Sequence, residues 1–107
     1  MGEPEAKAEP IHTEEAIGNV TYWRATIGAW AGDVTFKIWG LNLATPTPFC
    51  IVCQTRQTDN IDRGFPDQFA VQVVETSNDF IRVRIRRIDV PGGGWGQQLG
   101  LNFIIRE

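Results

Sequence analysis

From Ile81 to Arg86 the chain alternates strictly between aliphatic residues and arginine, Ile81-Arg82-Val83-Arg84-Ile85-Arg86. A period of two marks a strand with one buried face, because successive side chains point to opposite sides. The aliphatics face a core, and the arginines form a cationic stripe opposite it. A glycine-rich turn holding Trp95 then leads into a second alternation, Leu99, Leu101, Phe103 and Ile105. The two segments read as a terminal hairpin, and that hairpin sets the fold class.

Runs rich in Val, Ile, Phe and Trp recur upstream between turn signals, whereas no segment keeps an i, i+3, i+4, i+7 apolar pattern over the length of a helix. Strands are predicted near Val20 to Ile27, Asp33 to Trp39, Phe49 to Thr55, Gln68 to Glu75, Phe80 to Ile88 and Gln97 to Ile105. Gly32-Asp33, Pro46 with Pro48, Gly64 with Pro66, Ser77-Asn78-Asp79 and Pro91 to Gly94 break the chain between them. Parity assigns Val34, Phe36 and Ile38, Phe69, Val71 and Val73, and Ile81, Val83 and Ile85 to the core. Cys50 and Val52 oppose Phe49, Ile51 and Cys53, and Tyr22 opposes Trp23. Strands apolar on both faces suggest a subunit interface as well as a core. The expected fold is all-β, a six-stranded antiparallel β-sandwich, with a small barrel as the alternative.

At 107 residues the chain has room for one core and not two. Its net charge is -3, but five of its thirteen acids, Glu3, Glu5, Glu9, Glu14 and Glu15, fall in the first fifteen residues against one lysine, Lys7. Residues 1–16, MGEPEAKAEPIHTEEA, mix Pro, Glu and Ala without an apolar period and are expected to be an acidic, disordered tail. Residues 17–107 form the single sandwich domain. No basic segment followed by an apolar h-region marks a signal peptide in the given chain, and no apolar run approaches a membrane span. A soluble protein is expected, with its compartment unspecified.

Several stretches resemble a known family. DVTF from Asp33, the FCIVCQT strand with its Pro-containing lead, FAVQVVETSNDF, and RVRIRRIDVPGGGWGQQLGLNFII together resemble the H-type lectin domain over roughly residues 33–107. The resemblance implies a six-stranded antiparallel sandwich that assembles as a homotrimer and binds galactose or N-acetylgalactosamine type sugars. Such lectins place a Trp-His pair before the last strand, where this chain has Trp95 followed by Gly96. They also carry an arginine on the strand before the turn ahead of the fifth strand, at or near the position of Gln72 here. The sugar-binding residues implied are Trp95 and Gln72, joined by Asp59, Asp62 or Arg63 in a cleft between subunits.

The arginine stripe has three readings. Same-face residues two apart on a strand lie roughly 6.8 Å from one another, so Arg82, Arg84 and Arg86 repel unless something offsets them. Pairing with Glu75, Asp79 or Asp89, within the chain or across an interface, is the favoured account. An anionic ligand such as a sulfated glycan is the second, and an arginine ladder facing a trimer axis is the third. Net acidity and the lack of other basic clusters argue against nucleic acid. The Pro91 to Gly96 loop lacks the strand-to-helix setting and the lysine of a phosphate loop. Trp23, Trp30 and Trp39 are assigned to core or interface packing, with Trp30 the most exposed.

Cys50 and Cys53 spell C-x-x-C, but an offset of three on a regular strand puts the sulfurs on opposite faces with Cα atoms on the order of 10 Å apart, too far for a disulfide. The only histidine, His12, lies in the expected tail, so neither a metal site nor a nucleophile-base pair can be assembled. Asp59, Asp62 and Asp67 read as a solvated loop. The expectation is a non-enzyme without cofactor or metal. Two functions remain: a trimeric, lectin-like carbohydrate-binding module, or a structural oligomerisation domain, such as a trimeric fibre or virion-associated knob, without sugar binding.

Overall fold

All six predicted strands are present, and each begins and ends within about two residues of its expected limits. The structure, a computed structural model, describes residues 3–14, 20–28, 30–57, 67–96 and 98–107, with 50–52 and 57 described by backbone alone. Among these, the strands are β1 Glu5–Lys7, β2 Glu9–Glu14, β3 Val20–Thr26, β4 Val34–Trp39, β5 Phe49–Gln57, β6 Phe69–Thr76, β7 Phe80–Arg87 and β8 Leu99–Arg106. They form two four-stranded sheets, ordered β1-β4-β7-β6 and β2-β3-β8-β5. Every pairing is antiparallel except that of β1 with β4. The fold is all-β and sandwich-like, and among the described residues no helix is long and apolar enough to cross a membrane.

The core lies where parity placed it. Phe36, Ile38, Ile81, Val83 and Ile85 of the first sheet meet Trp23, Ala25, Leu99, Leu101, Phe103 and Ile105 of the second in one buried cluster. Val34, Phe69, Val71 and Val73 pack against it while keeping some exposure. Each fully buried aliphatic contributes roughly 1.5–3 kcal/mol by leaving water, which makes this cluster the main stabilising element.

β7 and β8 are not a hairpin. Each has one apolar face, so the two face each other across the core, and the connection that begins at Ile88 leads from one sheet to the other. Alternation reports which face of a strand is buried, not which strand lies beside it, and both arrangements satisfy the same pattern.

The expected tail is also corrected. Glu5-Ala6-Lys7-Ala8 alternates exposed and buried positions, but alanine's small apolar surface hides the pattern from a hydropathy reading. β1 runs along β4, with Lys37 N donating to Pro4 O at 2.9 Å and Ala8 N to Trp39 O at 2.8 Å. The chain then changes sheets at buried Ala8, and β2 pairs with β3.

Three bulges matter for the faces. One between Pro10 and His12 and one between Cys50 and Val52 interrupt the second sheet, and one between Val73 and Glu75 interrupts the first. A bulge inserts one residue and reverses the parity beyond it. Cys50 therefore pairs with Ile105 and Cys53 with Phe103, two residues apart on β8, so the register no longer sets the two cysteine positions on alternate faces.

Candidate functional site

Trp95 is part of the scaffold. It is 4 % exposed, its Nε1 donates to Gly28 O at 2.7 Å, and its ring meets Phe69 edge-on at 5.3 Å. Trp95 and Trp30 also exchange backbone hydrogen bonds of 2.9 and 3.1 Å, which ties the β7–β8 arch to the turn between β3 and β4. Glycine is required beside it: a Cβ on Gly94 would lie 2.6 Å from Trp30 O. Arg87 closes the same end, donating to Gly94 O at 2.8 Å and pairing with Asp67 and Asp89 at 2.8 and 2.9 Å. The Trp95 indole thus has no open face for a sugar, which corrects the role the resemblance implied. Glycine density signals close backbone approach, and here that approach is to Trp30 and not to a ligand.

The arginines lie on the outer face of the first sheet, and their neutralisation is graded. Arg82 is held by two carboxylates, Glu3 at 2.6 Å and Glu75 at 2.7 Å. The bulge at Val74 is what turns Glu75 onto Arg82, since unbroken parity would have set it on the inner face with Val71 and Val73. Arg84 forms a two-pronged pair with Asp33, Nε to Oδ1 at 3.0 Å and Nη2 to Oδ2 at 2.6 Å. Arg86 has no ion-pair partner among the described residues. Of the partners expected for the stripe, Glu75 serves it, Asp89 serves Arg87 instead, and Glu3 and Asp33 come from segments the strand pattern did not connect to it.

These hydrogen bonds fix the charges. Arg82 holds the Glu3 carboxyl below its ordinary value, and Arg84 does the same for Asp33. Arg87 brings Asp89 down to about 2, while the three guanidinium groups are raised in return. Carboxylates so held are permanent anions at neutral pH, which suits them to ion pairing and not to proton transfer. Aromatic rings fill the rest of the face. Lys7 sits 5.6 Å over Trp39, and Lys37 and Arg82 sit 4.8 and 4.7 Å from the Phe80 ring. Trp39 is therefore an outer-face residue under a cation, not a core one.

Gln72 does meet the stripe. It pairs in register with Arg84, Ala70 pairs with Arg86, and these four with Val71 line a hollow of about 440 Å³. Asp59, Asp62 and Arg63 lie outside the described residues.

The outer face of the second sheet carries a trough that strand-by-strand reading missed. Tyr22 on β3 lies beside Ile104 on β8; Asn102 on β8 is flanked by Arg24 on β3 and Gln54 on β5; and Gly100 lies between Thr26 and Arg56. The bulge in β2 adds Ile11, which is 56 % exposed, and the His12 ring lies 6.0 Å from that of Tyr22, itself 36 % exposed. Ile11, Tyr22, Ile104, Gln54, Asn102 and Arg56 line a cavity of about 510 Å³. A smaller hollow of about 230 Å³, opened where Gly100 has no side chain, continues from it past Asn102 and Arg56 to the Arg24–Glu9 pair at 3.1 Å. The sequence signal was the outward parity of β3, β5 and β8, polar and planar at Arg24, Gln54, Arg56 and Asn102.

Among the described residues no group of three or more His, Cys, Asp or Glu is placed to hold a metal ion. No protein-family model matches the chain significantly, and no curated protein or solved structure does so either, so the functional reading rests on these two faces.

Proposed function

We propose that this protein is a carbohydrate-binding module that takes a sugar in the trough on the β2-β3-β8-β5 sheet. The observation that carries the reading is the composition of that trough: an apolar floor at Tyr22, Ile104 and Ile11 beside the planar hydrogen-bonding groups of Gln54, Asn102 and Arg56. A pyranose has the matching two-sided chemistry. Its C–H face packs on an aromatic or aliphatic surface, while its hydroxyls pair with amides and guanidinium groups. The volume of about 510 Å³ lies within the range of small-ligand sites. The resemblance to H-type lectins points to galactose or N-acetylgalactosamine and to a homotrimer; the residues bearing the sugar here are Tyr22, Asn102, Gln54 and Arg56 instead of Trp95.

Calorimetric titration with both sugars, together with a glycan array, tests this. The expected result is saturable binding that weakens by about tenfold in Tyr22→Ala, the loss of one stacked ring. No binding to any glycan, or unaltered binding by Tyr22→Ala and Asn102→Ala, overturns the reading.

A second reading rests on the apolar groups of the same sheet. Phe49 is 66 % exposed and Ile11 56 % exposed, and the structural assembly domain would bury them against further copies of the chain. Light scattering at micromolar concentration separates the two. A trimer that binds no glycan favours assembly alone, whereas a glycan-binding monomer removes the trimer from the proposal.

A further inference from the structure

We propose that Arg84, Arg86 and Gln72 form a cradle for a tetrahedral oxyanion, a sulfate or phosphate group, on the sheet opposite the sugar trough. The inference does not depend on sugar binding.

Its basis is the gradient along β7. Arg82 and its neighbour Lys37 are balanced by Glu3 and Glu75, and Arg84 with Asp33 is neutral. Arg86 remains cationic and lacks an ion-pair partner among the described residues. Among the described residues the charge without an ion-pair partner thus lies at one end of the ladder, and the hollow of about 440 Å³ lies at that same end. Strand register explains why. Opposite Arg86 stands Ala70, whose methyl group leaves the space open, and opposite Arg84 stands Gln72, whose exposed amide adds a donor.

Arg84 keeps donor capacity. Asp33 engages its Nε and Nη2, which leaves the Nη1 hydrogens outside that pair. The two guanidinium groups spring from positions roughly 6.8 Å apart on one face, a spacing a single oxyanion can bridge with its several acceptor oxygens. Planar, always-charged guanidinium groups suit sulfate and phosphate better than lysines would.

Sodium sulfate and inorganic phosphate are titrated into the full chain in low-salt buffer, followed by NMR of the arginine Nε–H and glutamine amide signals. Saturable shifts are expected at Arg84, Arg86 and Gln72, and not at Arg82. Arg86→Gln should weaken the affinity by about tenfold or more, Arg82→Gln should leave it unchanged, and added sodium chloride should reduce it by screening. Galactose 6-sulfate against free sulfate, both read at the Arg84, Arg86 and Gln72 signals in the Tyr22→Ala background, resolves the source: tighter binding of the sulfated sugar at those signals assigns a sulfate ester, and equal binding assigns a free oxyanion. The cradle is overturned if no saturable shift occurs, or if Arg82→Gln weakens binding as much as Arg86→Gln. Tyr22→Ala separates this proposal from the sugar reading, since it weakens sugar binding by about tenfold and leaves sulfate binding intact; weakening of both overturns the assignment of two independent faces.

Discussion

β7 and β8 follow one another in the chain and share an inward pattern, yet their outward faces differ. Outside β7 stand Arg82, Arg84 and Arg86, and two of the three are closed by carboxylates of the same chain. Outside β8 stand Gly100, Asn102 and Ile104, uncharged and surrounded by Tyr22, Gln54 and Arg56. The charged face is largely self-satisfied, whereas the quieter face holds open hydrogen-bonding groups beside apolar surface. Charge density thus says less about which groups stay open on a face than the pairing state of its charges does.

The strongest way to break this comparison is to remove what both faces stand on. Trp95→Ala deletes a buried ring and its hydrogen bond to Gly28, and should cost about 3–5 kcal/mol in urea unfolding. Were Trp95 a sugar platform, stability would scarcely change and binding would be lost. Tyr22→Ala, by contrast, should weaken sugar binding by about tenfold while changing stability by less than about 1 kcal/mol.

Acid sharpens the contrast next. Glu3, Asp33 and Asp89 titrate below their ordinary values in the fold, so the unfolded chain takes up their protons first. Their stabilising contribution is complete above the ordinary values of 4.5 for Glu and 3.8 for Asp, and it is lost as pH falls through the folded values, about 2 for Asp89. The melting temperature should be level above about pH 5 and fall below about pH 4. Sulfate binding should strengthen over the same interval, as Arg84 loses its partner.

The smallest effect is expected at Trp23. It is buried, stacked on Phe103 with centroids 6.1 Å apart, and its Nε1 has no acceptor among the described residues. An unmet buried donor costs about 1–3 kcal/mol, which offsets most of what the larger ring gains. Trp23→Phe should therefore shift stability by about 1 kcal/mol or less in either direction.

Strands and core were legible because Ile81, Val83 and Ile85, or Leu99, Leu101 and Phe103, state their face without reference to any neighbour. What was hidden depends on neighbours. The Glu3 and Asp33 pairs join segments far apart in the chain, and the bulges at Ile11 and Val74 redirect side chains that simple parity assigns elsewhere. The trough draws one or two residues from each of four strands, each unremarkable in its own run. Trp95 misled for a related reason: a glycine-flanked aromatic in a loop looks the same in sequence whether the close approach is to a ligand or to Trp30.

The sheet change at Ala8 has a consequence for how the protein meets other chains. The segment from Glu5 to Glu14 lies along β4 in one sheet and β3 in the other, so one short stretch occupies an edge of both. β1 is three residues long, and β2 carries Pro10, a bulge and two glutamates. Short, charged, proline-bearing strands resist extension by a foreign strand, and along this flank the protein is protected against runaway edge-to-edge aggregation.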